Sequence, residues 1–318
     1  MRQEADHIDK VMRAVESRSD AARSPVAASW RRSMEHHGLD PARGKVPHVV
    51  EARELARRRD ELGEFLAMAM PKLDQLFALV GASGCGVLLT DATGIVLDLR
   101  CADADAEIFR GWGLRPGADW SEAHEGTNGI GTCLAERRRV TIHRDDHFLA
   151  RNTVLSCMDA PIFGADGHIL AALDVSSARV NETEGFNRLL SAAVSQYAQT
   201  IENLHFRATF PDARIILADP DEADATALLA VDDNDLVIGA TRSARRIFGL
   251  ESVGPLKLRP SVDLFGRGDG PTGFEKAERA AVVRALVRAD GNVSQAARVL
   301  GIGRATLYRQ MHKFGIER

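Results

Sequence analysis

At 318 residues the chain exceeds one typical domain, and two or three folding units are expected. With 45% hydrophobic and 27% charged residues and a net charge of −4, it reads as soluble and globular, with enough apolar material for real cores. Its four cysteines, Cys85, Cys101, Cys133 and Cys157, are scattered without a CxxC pair, which argues against a zinc ribbon or a disulfide scaffold and fits a reducing compartment.

The first residues, Met1-Arg2-Gln3-Glu4-Ala5-Asp6, are charged and unlike a signal peptide. The longest uncharged run, residues 75–90, is too short and Gly-rich to span a bilayer, so a cytoplasmic protein without a membrane partner is expected. Residues 1–50 form an N-terminal helical segment, and residues 51–80 look helical through Leu62, Phe65, Leu66, Met70, Leu73, Leu76 and Phe77. Gly81-Ala82-Ser83-Gly84 breaks that pattern, and residues 85–98 then read as strand, turn at 91–94 and returning strand. A second hairpin covers 159–175, turning at 164–167. Helix, hairpin, irregular middle, hairpin and helix together predict an α+β domain over 51–181, an antiparallel sheet flanked by helices.

Between the hairpins lies Trp120-Ser121-Glu122-Ala123-His124-Glu125-Gly126-Thr127-Asn128-Gly129-Ile130-Gly131-Thr132-Cys133, followed by Val140-Thr141-Ile142-His143 and Asp146-His147-Phe148. Gly126, Gly129 and Gly131 allow close backbone approach, while Thr127, Asn128 and Thr132 can cap the helix that runs to Ala135. A structural strand-to-helix corner is the favoured reading. Within this segment neither phosphate-cradle spacing, GxxxxGK[ST] nor GxGxxG between strand and helix, occurs. The candidate ligand-binding residues are Trp120, His124, Thr127, Asn128, His143, His147 and Cys157. His124, His143, His147 and Cys157, with Glu125, Asp145 and Asp146, offer imidazole, thiolate and carboxylate donors, yet the one pair at helical i, i+4 spacing, His143 and His147, reads as loop, so no metal and no cofactor are expected. Cys85, Cys133 and Cys157 each sit in an apolar context, so no catalytic residue is assigned.

Residues 182–207 predict a connecting helix with Phe186, Leu190, Ala193, Tyr197, Ile201 and Leu204 on one face. That face suits either pairing with a second copy or packing on the domain's own core. Residues 208–273 hold a strand–turn–strand at 227–240 and a short helix at 243–250, like the start of a PAS domain whose remaining strands do not follow. From 254 to 273 the chain is rich in Pro and Gly and reads as a linker.

Residues 274–318 read as three helices. The first runs from 275 to about 289 and carries an apolar stripe of Ala281, Val282, Ala285, Leu286 and Ala289. Asp290-Gly291-Asn292 then opens a second helix to Leu300, Gly301-Ile302-Gly303 turns the chain, and a third covers 304–313. Ala296, Ala297, Leu300, Ile302, Leu307 and Met311 are spaced to pack two short helices across a tight turn, the helix-turn-helix plan. From Phe274 onward there are nine Lys/Arg against four Asp/Glu, a net of +5, which leaves −9 for the rest of the chain. A basic terminal module on an acidic body is the footprint of a tethered DNA reader. The candidate DNA-binding residues are Ser294, Gln295, Arg304, Thr306, Leu307, Tyr308, Arg309 and Lys313: Arg can make bidentate contacts to guanine, and Lys and Tyr commonly contact phosphate.

Two resemblances follow from these residues. The stretch 292–302 with Ala305-Thr306-Leu307-Tyr308-Arg309 resembles the Fis family, which implies a dimer on a two-fold symmetric operator in double-stranded DNA. The segment 120–135, with Leu155-Ser156-Cys157, Ala160-Pro161-Ile162 and Leu173-Asp174-Val175-Ser176-Ser177, resembles the GAF sensor domain of acetoin-regulator-type transcription activators. That likeness reaches back to Ser29-Trp30-Arg31-Arg32-Ser33 and His37-Gly38-Leu39-Asp40-Pro41, and it implies a pocket for an unknown small-molecule effector on one face of the sheet. Such activators usually place an ATPase between sensor and DNA reader. Here neither a Walker A sequence nor a Gly-Ala-Phe-Thr-Gly-Ala loop occurs. The expected function is therefore a ligand-responsive, homodimeric DNA-binding regulator without ATPase activity, acting by DNA occupancy or through RNA polymerase or another regulator. The alternatives are a GAF-fold Cys/His enzyme and an adaptor that forms mixed dimers with a full-length sigma-54 activator.

Overall fold

The computed structural model describes residues 2–17, 23–45, 47–177, 183–218, 226–265 and 273–316. Contacts divide the chain into two units, Met1–Ser261 and Val262–Arg318. In the first unit, α1 (Arg2–Glu16) and α2 (Pro25–Glu35) precede α3 (Ala52–Glu61) and α4 (Gly63–Val80). Ser24 starts α2 by accepting from the Ala27 N–H, and Pro25 presets the first helical φ. The helix expected over 51–80 is broken at Leu62, next to Gly63, a poor helix former. The break separates a charged helix with no buried residue from an apolar one.

Five strands, β1 (Cys85–Asp91), β2 (Val96–Arg100), β3 (Val140–His143), β4 (Ser156–Phe163) and β5 (Ile169–Ser177), form an antiparallel sheet ordered β2-β1-β5-β4-β3. Three short helices lie between β2 and β3: α5 (Ala106–Trp112), α6 (Glu122–Glu125) and α7 (Gly129–Glu136). The two hairpins lie where the turn signals put them, while β3 is an edge strand of four residues whose periodicity is too short to read.

Strand alternation gives the sheet two different faces. Cys85, Val87 and Leu89 of β1 join Met158, Ala160, Leu173 and Val175 under α4 and the long helix α8 (Glu184–Thr209). On the other face Leu88, Val96, Phe109, Leu114, Trp120, Ile130, Leu155 and Cys157 pack together. α8 sends Leu190, Val194, Ala198 and Ile201 into the first face, with Phe186, Ala193 and Tyr197 packed partly against it. Of the two readings open for this helix, packing on the domain's own core is the one seen, although Leu204 stays 36% exposed. Glu182, its expected start, lies outside the described residues. Gly63–Ser83 is long and apolar enough to cross a membrane by length and composition alone. Phe65, Leu66, Ala69, Leu73, Leu76 and Val80 of that stretch are buried in the core, each large side chain contributing about 2 kcal/mol.

The segment after α8 holds more structure than its sequence shows. β6 (Arg214–Ala218), β7 (Ala227–Val231), β8 (Leu236–Ala240) and the two-residue β9 (Arg259–Pro260) make a second antiparallel sheet in that order, with α9 (Arg242–Ile247) packed on β7 and β8. The expectation that no further strands accompany the 227–240 hairpin is corrected: β6 is an exposed edge and β9 is a two-residue pairing, so neither carries a strong periodic signal. Residues 254–265 are likewise more than linker. Gly254 donates to the Asp166 carbonyl, Ser261 donates to that of Asp235, and α10 (Ser261–Leu264) follows. Residues 266–272, the rest of the expected linker, lie outside the described residues. Buried Arg245 fastens this sheet to the β4–β5 turn, donating to the carbonyls of Ala240, Glu251 and Ala165.

The second unit is α11 (Phe274–Arg288), α12 (Val293–Val299) and α13 (Arg304–Lys313). Val282, Ala285, Ala289, Val293, Ala296, Ala297, Leu307 and Met311 form its core. Asn292 caps α12 by accepting from the Gln295 N–H at 3.2 Å, and Gly301, at φ 65°, makes the left-handed exit from that helix.

Candidate nucleic-acid interface and sensor interior

On α13, packing divides the side chains into two sets. Leu307 is fully buried and Met311 is 6% exposed, so the i, i+4 pair holds the helix to the core. Arg304, Tyr308, Arg309 and His312 form the exposed row on the opposite side, with Thr306 partly buried beside it. Arg304 donates to the Tyr308 hydroxyl and lies over its ring, and Arg309 donates to Thr306 Oγ1 at 3.4 Å. Gln295 is exposed and Ser294 partly buried in the first turn of α12.

Two of the DNA-binding expectations change with this geometry. Leu307 is a core residue: a side chain that fills the helix–helix contact cannot also present itself to a groove. Lys313 is exposed but paired, its Nζ lying 3.2 Å from both Glu275 and Glu278 of α11, and these carboxylates raise its pKa.

In the first unit the segment 120–133 is a clasp for α2. Glu122, 5% exposed, accepts both Arg32 Nε and Nη2 at 2.8 Å and also takes the Ser29 hydroxyl. Thr127 is fully buried against Ser29 Oγ at 2.7 Å, and Trp30 donates to the Asp146 carbonyl at 2.8 Å. Glu125, fully buried, pairs with Arg151; burial outweighs that cation and lifts its carboxyl to about 7. Gly126 sits at φ 63°, and a Cβ there would come within 2.6 Å of Phe148. The two sequence motifs, near residues 30 and 125, are thus two halves of one buried contact.

The remaining ligand-site expectations separate by role. Trp120 is a core side chain whose Nε1 donates to the Gly113 carbonyl. Asn128 caps α7, accepting from Gly131 N–H at 2.9 Å and donating to the Gly126 carbonyl. His124 is on the surface with Asp119 at 2.9 Å, and His143 contacts Ser156 Oγ at 2.8 Å. The structure brings together His147 and Cys157, with Nε2 and Sγ 3.6 Å apart.

That pair begins a buried polar row that crosses the second face of the sheet. Ser176 donates to Cys157 Sγ at 3.2 Å and lies 2.7 Å from Asp174 Oδ2. Asp174 stands directly across from Asp159 in the β4–β5 register. Neither Asp159 carboxylate oxygen, nor Asp174 Oδ1, finds a good hydrogen-bond partner among the described residues. Burial, with no cation to offset it, raises Asp174 to about 7; burial and the facing Asp174 push Asp159 well above the usual carboxylate range. One of the two holds a proton at neutral pH. Burial also raises the Cys157 thiol and lowers His147 to about 4, the reverse of a reactive thiolate–imidazolium pair. A Cβ on Gly129 would stand 2.0 Å from Asp159 Oδ2, so glycine lets α7 lie directly on the pair. No group of three or more His, Cys, Asp or Glu among the described residues could hold a metal ion. Neither aspartate is a site candidate from the sequence, although a lone Asp inside each of two apolar strands, sharing a face with Cys157 or Ser176, is the signal that marks them.

Two family models match these same regions, the GAF domain over residues 67–203 and the bacterial regulatory protein, Fis family, over 273–314. The chain joins a GAF domain to a Fis-family helix-turn-helix. It is 35% identical over 225 residues to the acetoin catabolism regulatory protein of Cupriavidus necator, covering 69% of this chain and 34% of that protein. It is 30% identical over 154 residues to the acetoin dehydrogenase operon transcriptional activator of Bacillus subtilis, covering 48% of this chain and 25% of that one. The chain thus spans about a third or less of the length of these relatives. The crystal structure of the E. coli DhaR(N)–DhaL complex contains a similar fold, with a TM-score of 0.54 at 16% identity over 76% of this chain and 81% of that one.

Proposed function

We propose that this GAF–Fis protein is a DNA-binding transcription regulator whose sensor domain responds to a small molecule and whose Fis-type unit delivers the output to DNA, with no ATPase between the two. The observation that carries the reading is the exposed row Arg304, Tyr308, Arg309 and His312 on a helix locked by Leu307 and Met311, in one chain with a GAF domain. The row places guanidinium forks and a phenol where a recognition helix meets base edges and phosphates. Phe274 and Val287, 91% and 70% exposed on α11, supply apolar surface for a second copy, which would set two reading heads about one helical turn of DNA apart. The sensor's effector would sit on one face of the sheet. A Cys/His enzyme is disfavoured by the raised Cys157 and lowered His147.

The test is selection of genomic fragments by the full chain, followed by affinity measurement on the enriched site. Arg309→Ala should weaken specific binding by about 1–3 kcal/mol and relax the preference at one base pair. A chain that enriches no sequence, or an Arg309→Ala variant that binds the site as tightly as wild type, contradicts the assignment.

A further inference from the structure

On the first unit, a cleft of about 490 Å³ opens between β4, α8, the turn after α7 and α9 of the second sheet. Its volume lies within the range of small-molecule sites, about 300–1,000 Å³. Five arginines line it: Arg137, Arg138 and Arg139 from the turn, and Arg242 and Arg246 from α9. Arg138 is paired with Glu136. Among the described residues, no carboxylate lies within ion-pair distance of the other four guanidinium groups. Arg137 and Arg242 are held in place by neutral groups: Arg137 donates to the Gly167 carbonyl, and Arg242 donates to that of Arg137 while stacking 3.9 Å from the Phe163 ring. The opposite wall is a stripe of α8, Ser195, Gln196, Gln199 and Glu202. Gln199 Nε2 there is a buried donor without an acceptor among the described residues. Glu202, the acid among the lining residues, accepts the Phe163 N–H, and burial lifts its carboxyl to about 7.

We propose that this arginine-lined cleft is a binding site for a small organic anion, a carboxylate or phosphate compound, distinct from the face of the sheet that carries the buried aspartate pair. Guanidinium forks without an ion pair among the described residues, one prebuilt by stacking on Phe163, are complementary to a planar or tetrahedral oxyanion. Arg242 already carries the cost of burial and of its neighbours Arg137 and Arg246, a cost that an anion would relieve. Because the cleft is walled by the sensor on one side and α9 on the other, the occupant would tie the two sheets together.

Equilibrium dialysis of the full chain against labelled inorganic phosphate and against labelled citrate, at fixed ionic strength, tests the site without reference to DNA. The expected result is saturable, stoichiometric binding of at least one probe, and which one binds names the class. Arg139→Glu and Arg246→Glu reverse charges that make no ion pair, and each should weaken binding roughly tenfold or more. Glu202→Gln removes the opposing acid and should tighten it. Absence of saturation with both probes, or affinities that the charge reversals leave unchanged while the tryptophan fluorescence of the first unit stays native, overturns the proposal.

Discussion

The two units of the chain differ in where their specifying interactions lie. The terminal unit is held by small and apolar side chains a few residues apart, with Asn292 and Gly301 marking the ends of one helix, and its polar side chains face outward. The GAF domain puts charge inside. Arg32–Glu122, Glu125–Arg151 and the Asp159–Asp174 pair are all buried or partly buried and join residues far apart in sequence. A reader built of local contacts can be recognised from 45 residues of text, whereas an interior built of long-range polar contacts cannot.

The largest expected effect sharpens the first half of that contrast. Leu307→Ala opens a cavity in the smaller core at a cost of about 3 kcal/mol or more, which a unit this small cannot absorb. Amide protection should vanish across 274–316 while the fluorescence of Trp30, Trp112 and Trp120, all in the first unit, stays unchanged. If α13 keeps its protection, Leu307 is not the core residue described. Arg32→Ala addresses the sensor. It strands Glu122 against α6 and should cost about 2 kcal/mol, less than for a fully buried pair because Arg32 is 31% exposed. Tryptophan-detected denaturation measures it, and a change near zero would mean that the clasp is only surface decoration.

The aspartate pair gives a smaller, pH-dependent effect. Asp174 titrates at about 7 in the fold against 3.8 when free, so the folded state holds the extra proton. Its contribution is fully present below the unfolded value and falls as pH rises towards 7, and Asp159 extends the decline upward. His147, lowered to about 4, acts in the opposite sense, losing stability as pH falls below 6.5. Above pH 6.5 Glu125 and Glu202, each lifted to about 7, decline in the same sense, so the aspartate pair is read from the difference between wild type and variant. Asp159→Asn should flatten the wild-type decline between pH 6.5 and 8 and gain on the order of 1–2 kcal/mol at the upper end. A variant with the wild-type slope would remove the shared proton from the account.

Much of the fold was legible in the sequence for physical reasons that particular residues show. Asp91–Gly94 and Gly164–Gly167 turned hairpins where turn chemistry predicts, and the 3.6-residue period located α8 and all three terminal helices. β3, β6 and β9 were too short or too exposed to leave a period. Leu307 was both an apolar core position and a candidate for DNA contact, and only packing decides between them. Asn128 caps α7 as its place before the helix predicts, whereas Thr127, offered both as a cap and as a ligand contact, faces Ser29. The aspartate pair depends on the β4–β5 register, which no local window contains.

The account's central claim is that the two units act as sensor and reader of one signal. Its most direct test is the affinity of the full chain for its selected DNA site, measured with and without a small molecule that raises the melting temperature of the first unit. The account predicts a changed affinity in the presence of that molecule and no change for a DNA of the same length that lacks the selected site. An affinity indifferent to every molecule that stabilises the sensor would contradict it.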